Sequence, residues 1–259
     1  MATPGPKRRM MQCVGWVNAR LNSALHNASM QQAILIAPIV LPVFFWAVYH
    51  YHKDHHLPEP LGHLLLAFLF GIVAAGVSQS LYIGLEPLGL RFDAGYLGET
   101  NTLGLLAYSL LAIGPIEELS KLLLFVLIVV RFEEFDEPVD GIIYASFIGL
   151  GYAAIENWQY LDYLTPIEAI ARGFASPVVH IVFASIWGYW IGRAYQQQTS
   201  MLKAAVVGFL VAAILHGIYD FMVLLQPYSA LPAAALLIVG IWVWRLFAIR
   251  RLHGHTVRD

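Results

Sequence analysis

The chain has 259 residues, of which 59% are hydrophobic and only 12% charged, and its mean hydropathy is +0.65. That is far outside soluble globular usage and reads as an all-α, polytopic transmembrane helix bundle with little left over for a soluble domain. A single cysteine, Cys13, excludes an internal disulfide and any multi-cysteine zinc site, and a net charge of −2 gives no sign of a nucleic-acid partner.

The first segment, 1–32, carries Lys7, Arg8, Arg9 and Arg20 but no apolar core of signal-peptide length, so it is expected to be retained. Met10, Val14, Val17, Leu21, Leu25 and Ala28 recur at helical spacing, which predicts a helix lying on the membrane surface; a disordered tail is the alternative.

Seven apolar blocks follow, at 33–50, 61–85, 102–130, 140–161, 171–195, 203–225 and 231–249, and they make 33–249 one transmembrane domain with a basic tail at 250–259. Most are 18 to 25 residues long, which suits a helix crossing about 30 Å of hydrocarbon. The third block has 29 residues, about 43 Å as one straight helix. It also contains Gly114-Pro115, where proline removes a backbone donor and crowds the preceding turn, so a break or kink is expected.

Basic residues at both ends, including Arg245, Arg250, Arg251 and Arg258 at the carboxy-terminal one, place both termini on the cytoplasmic side and require an even number of crossings. The third block is therefore expected to enter, break at Gly114-Pro115 and return, either as a re-entrant element or as two spans that bring the total to eight. Trp46, Tyr49, Trp158, Tyr160, Tyr195, Trp242 and Trp244 lie near block ends, where amphipathic rings anchor helices at the headgroups. The His-rich stretch of His50, His52, His55 and His56, the tail histidines His253 and His255, and the acidic stretch of Glu133, Glu134, Asp136 and Glu137 read as solvated connections.

Four blocks carry ionisable groups at hydrocarbon depth: Glu117, Glu118 and Lys121; Glu156; His180; and His216 with Asp220. Each charge facing lipid at a membrane centre costs about 2.5 to 3.5 kcal/mol, so these groups are expected to face one another. Glu117 and Lys121 are four apart and are predicted to pair, freeing the rotated Glu118 for chemistry. Tyr152 and Tyr160 lie one turn either side of Glu156, within reach of its carboxylate, and Asp220 lies one turn from His216, able to fix its tautomer. Four carboxylates and one lysine sum to −3 with neutral histidines, which demands raised carboxyl pKa values or a bound divalent cation.

Gly114-Pro115-Ile116-Glu117-Glu118-Leu119-Ser120-Lys121 resembles the Glu-Glu-x-x-Lys motif of the PrsW intramembrane proteases, relatives of the CAAX-processing and bacteriocin-immunity protease superfamily. Asp140-Gly141-Ile142-Ile143-Tyr144 with Gly151-Tyr152-Ala153-Ala154-Ile155-Glu156-Asn157 resembles the second motif, Tyr152 standing where phenylalanine is usual. His180-Ile181-Val182-Phe183 and His216-Gly217-Ile218-Tyr219-Asp220-Phe221 resemble the third and fourth, and Glu59-Pro60 a family loop.

The resemblance implies hydrolysis of a peptide bond in a membrane-anchored protein, such as an anti-sigma factor, by an enzyme of the bacterial cytoplasmic membrane. It marks Glu117, Glu118, Glu156, His180 and His216 as catalytic candidates, with Lys121, Tyr152, Asn157 and Asp220 in support. In one mechanism a zinc-like ion is held by His180, His216 and one or both of Glu118 and Glu156. In the other, Glu117 or Glu118 activates water directly while His216 stabilises the oxyanion. A proton-coupled carrier and a non-catalytic membrane-protein binder are the alternatives from other classes. Substrate identity and oligomeric state are not legible.

Overall fold

A computed structural model describes residues 36–52, 59–161 and 164–256, with side-chain detail up to Leu252. The expected surface helix at 1–32 and the loop histidines His55 and His56 lie outside the described residues. The described residues are all helix and connection: α1 Ile36–His52, α2 Leu61–Leu85, α3 Ala94–Thr100, α4 Thr102–Tyr108, α5 Gly114–Leu127, α6 Asp140–Tyr160, α7 Pro166–Gln196, α8 Met201–Leu224 and α9 Leu231–Thr256. The apolar blocks reappear as α1, α2, the run from α4 to α5, and α6 to α9. Among the described residues four helical stretches are long and apolar enough to cross a membrane: Leu61–Leu88, Pro166–Gln196, Met201–Leu224 and Leu231–Leu252.

Several boundaries follow from local chemistry. Asn101 starts α4 by accepting the Gly104 N–H at 2.9 Å, and Ser200 starts α8 by accepting from Lys203. α7 begins at Pro166, earlier than hydropathy predicts, because the Glu168 carboxylate accepts the Thr165 N–H at 2.8 Å in a capping box. At the other end of the chain, α9 continues through Arg250 and Arg251 to Thr256.

The third block does not turn back. Backbone dihedrals stay helical from Tyr108 through Gly114, and Ser109–Ile113 forms a π-helical turn in which the Gly114 N–H bonds to the Ser109 carbonyl. The wider turn accommodates the donor that Pro115 lacks and the room its ring needs, so the expected re-entrant break at Gly114-Pro115 is absent. α5 then follows in the same helical run and carries Glu117, Glu118 and Lys121.

α6 and α7 form the centre. Residues 140–153 of α6 are all buried, and 67% of the apolar window of α7 is buried against 28% for α9. The central pair packs closely at Gly141 and Gly188, where a Cβ on either glycine would strike the other's carbonyl oxygen. α5 and α8 approach as closely at Gly114 and Gly217; a Cβ on Gly114 would strike the Ala213 carbonyl. That approach brings Glu117, one turn after Gly114, against His216.

Three polar features away from this meeting point differ from the sequence reading. Asp140 Oδ2 accepts the backbone N–H groups of Asp136 and Glu137 at 3.0 and 2.6 Å, and the Tyr144 hydroxyl donates to Glu59. Glu137 is thereby folded inside rather than solvated, as is His50, whose Nδ1 lies 2.7 Å from the Trp46 carbonyl. Arg245, fully buried in α9, braces the centre by donating to Ser185 of α7 at 2.8 Å and Ser146 of α6 at 2.9 Å. Each serine hydroxyl in turn donates to a helix carbonyl, at Ile181 and Ile142.

Candidate active site

The ionisable groups from α5, α6, α7 and α8 do meet, as the cost of exposing them to lipid requires. Within the meeting point, the two neighbouring glutamates take opposite roles from those their spacing predicts. Lys121 pairs with Glu118, not Glu117, at 2.6 Å across one turn. The same Glu118 oxygen lies 2.8 Å from His216 Nδ1, and its other oxygen accepts the Trp187 indole N–H at 2.9 Å. Glu118 and Lys121 are fully buried. Three groups therefore crowd the two oxygens of Glu118. Helical spacing allows Lys121 either glutamate, and packing of α7 and α8 decides between them.

Glu117 is left without the lysine. Its Oε2 is buried without a hydrogen-bond partner, 3.7 Å from His216 Nε2 and 4.0 Å from His180 Nδ1. Glu117, His180 and His216 form the one group among the described residues whose ligand atoms all lie within 4.8 Å of one another. Two imidazoles and a carboxylate suit zinc, and the two gaps to Glu117 exceed by less than about 1 Å the roughly 3.3 Å between ligand atoms on a tetrahedral ion. An orphaned buried oxygen is also what such an ion would satisfy. The expected ligands Glu118 and Glu156 are not in the group, because both are engaged elsewhere.

Glu156 is spent on orientation. One oxygen takes Arg172 at 2.9 Å and the other lies 2.8 Å from His180 Nε2, with the Ser176 hydroxyl at 3.3 Å. That leaves His180 Nδ1 directed at the cluster, where Lys121 Nζ also approaches it at 3.1 Å. His216 is held at Nδ1 by Glu118, stacked on Phe183 with centroids 4.6 Å apart, and has Asp220 Oδ2 at 3.6 Å from Nε2. Asp220, Glu156 and Arg172 have side chains 18%, 19% and 27% exposed, so the cluster opens at its α6, α7 and α8 edge.

Arg172 changes the charge balance. Four carboxylates against Lys121 and Arg172 leave −2 rather than the −3 read from sequence. The sequence pattern alone does not single out Arg172, Ser176 or Trp187, although Arg172, Ser176, His180 and Trp187 follow one another at four-, four- and seven-residue steps along one face of α7.

The tyrosines do not serve Glu156. Tyr152 donates to Ser78 at 2.9 Å and lays its ring under Lys121 Nζ, 4.6 Å from the centroid, while Tyr160 carries the Arg172 guanidinium at 3.8 Å. Asn157 is buried beside the network without joining it; neither amide atom has a partner in the structure.

The profile of the PrsW-protease family, described as PrsW family intramembrane metalloprotease, matches residues 59–247. Protease PrsW of Geobacillus kaustophilus is 28% identical over 222 residues, covering 86% of this chain and 93% of its own. Protease PrsW of Clostridioides difficile is 27% identical over 224 residues, covering 84% and 90%, and that of Bacillus subtilis is 27% identical over 189 residues, covering 73% and 82%. No solved structure matches. The match runs from the loop before α2 into α9 and includes every residue of the cluster, so this chain belongs to the PrsW family of intramembrane proteases.

Proposed function

We propose that this protein cuts a membrane-anchored protein substrate in the bacterial cytoplasmic membrane, using a divalent ion, best matched by zinc, held by Glu117, His180 and His216. One observation carries this reading: the unpartnered Glu117 Oε2 faces a nitrogen of each histidine. When bound, such an ion supplies Lewis-acid chemistry, polarising a carbonyl and making water a stronger nucleophile.

The protein's own groups do the rest. Glu118 and Glu156 fix the two imidazoles from behind, Nδ1 of His216 and Nε2 of His180, so that the opposite nitrogens face the cluster. Lys121 sits 3.1 Å from His180 Nδ1 and supplies positive charge near the place where an oxyanion would form. Asp220, partly exposed with Oδ2 unpartnered, is the carboxylate available to accept a proton from water. Membership of a protease family weighs against the carrier and the non-catalytic binder.

A second reading has its own support. Lys121 already occupies His180 Nδ1, the atom an ion needs. In that arrangement Glu117 is the general base and works without a metal. Metal content of detergent-purified protein beside its His216→Ala variant decides between the two. About one zinc per chain, lost in the variant, supports the metal reading. No metal in either, with the fold intact, overturns it and leaves Glu117 to activate water.

A further inference from the structure

We propose that Trp187 is a positioning residue of this site, acting through Glu118 to aim His216. The inference rests on the reading of His216 as a working residue and names the group that holds it. The Trp187 indole N–H, the donor on a fully buried ring, lies 2.9 Å from Glu118 Oε2. An indole in an apolar helix interior has to place that one donor somewhere. Here it lands on the carboxylate whose other oxygen takes Lys121 at 2.6 Å and His216 Nδ1 at 2.8 Å.

The geometry assigns each donor a separate job. Lys121 balances the charge of Glu118. Trp187 pins Oε2, which stops the carboxylate rotating about its terminal bond and so fixes where Oε1 points. His216, held at Nδ1 by Oε1, then has only Nε2 to present to Glu117. The indole's own place is built by its neighbours: Phe125 of α5 packs against it edge-on at 5.0 Å, and Gly208 of α8 leaves room for the Trp187 backbone, which a Cβ there would meet at 2.6 Å. Three helices therefore converge on the orientation of one donor.

A tryptophan that merely fills the core would contribute to stability without touching the site. Zinc binding separates the possibilities. The full-length protein, Trp187→Phe, Glu118→Gln and the double variant are purified in detergent and titrated with zinc in competition with a chelator, alongside thermal melting. Cleavage of a fluorogenic single-span peptide in liposomes is followed in parallel. The expected result is a zinc affinity about 10- to 100-fold weaker in Trp187→Phe, with no further loss when it is added to Glu118→Gln.

Wild-type zinc affinity in Trp187→Phe overturns the proposal, as do losses that add in the double variant. If the wild-type protein binds no zinc, the metal reading fails separately, and the same four-way comparison is made on cleavage rate: non-additive losses keep the assignment and additive ones overturn it. Should Trp187→Phe not fold, a benzothienyl-alanine at 187 keeps the ring's shape, lacks the N–H and carries the same comparison.

Discussion

Glu117 and Glu118 are adjacent in sequence yet meet His216 from opposite sides of its ring: Glu118 at 2.8 Å from Nδ1, Glu117 at 3.7 Å from Nε2. The helix rotates successive side chains by about a hundred degrees, and α8 inserts the imidazole between the two directions. One glutamate is thereby locked into a buried pair with Lys121, and the other keeps an oxygen without a hydrogen-bond partner.

The two glutamates should separate by stability. Glu118→Gln removes the partner of a fully buried lysine, and breaking a buried pair in this way costs about 3–5 kcal/mol. Glu117→Gln removes an oxygen that has no hydrogen-bond partner, so its folding cost should stay below about 1 kcal/mol. Thermal melting in detergent should therefore drop sharply for Glu118→Gln and little for Glu117→Gln, while both lose cleavage. Equal melting temperatures for the two variants would contradict the assignment of Lys121 to Glu118.

Much of this arrangement was legible before any coordinates. Hydropathy located the long helices of the described residues, and the cost of charge in hydrocarbon required that Glu117, Glu118, Glu156, His180 and His216 meet. What could not be read was the choice between geometries that helical spacing permits equally. Lys121 can reach back three or four residues, and only the approach of Trp187 and His216 selects Glu118. Pro115 can break a helix or be absorbed by a π turn, and only the folded backbone shows that Ser109–Ile113 takes the second course. Arg172 looks like an interfacial charge until Glu156 is seen beside it.

Glu156 should behave as a positioning group and not as a ligand. It holds His180 Nε2 at 2.8 Å and is neutralised by Arg172 at 2.9 Å. Loss of such a partner behind a metal-binding histidine weakens affinity about 10- to 100-fold without abolishing it. Equilibrium dialysis of Glu156→Gln against zinc should show that partial loss, whereas His180→Ala should show no specific binding. Complete loss in Glu156→Gln would return Glu156 to the ligand set.

Tyr152→Phe should cost stability and spare chemistry. Its hydroxyl is spent on Ser78 of α2 and not on Glu156, so the variant loses one neutral hydrogen bond, about 1 kcal/mol. The ring, which lies under Lys121 and beside the His180 imidazole, is kept. Cleavage close to wild type with a slightly lower melting temperature is expected. A collapse of activity would mean that the phenol has a role the structure does not give it.

Gly114→Ala tests how finely α5 must seat on α8. A Cβ at 114 would strike the Ala213 carbonyl and crowd the Gly217 backbone, neither of which can rotate aside. Overpacking of this kind costs about 1–3 kcal/mol, and relief has to come from moving α5 away from α8. Glu117 rides on α5 and His216 on α8, so their 3.7 Å separation widens with it. A displacement near 1 Å at a reacting centre can cost about a hundredfold in rate. Gly114→Ala should therefore lose far more cleavage than its melting temperature alone would explain. Gly76→Ala on α2, where a Cβ meets nothing within 4 Å, should leave cleavage unchanged and the melting temperature the same or slightly higher. If the two alanine variants lose activity in proportion to stability alone, the α5–α8 spacing is not what sets the rate.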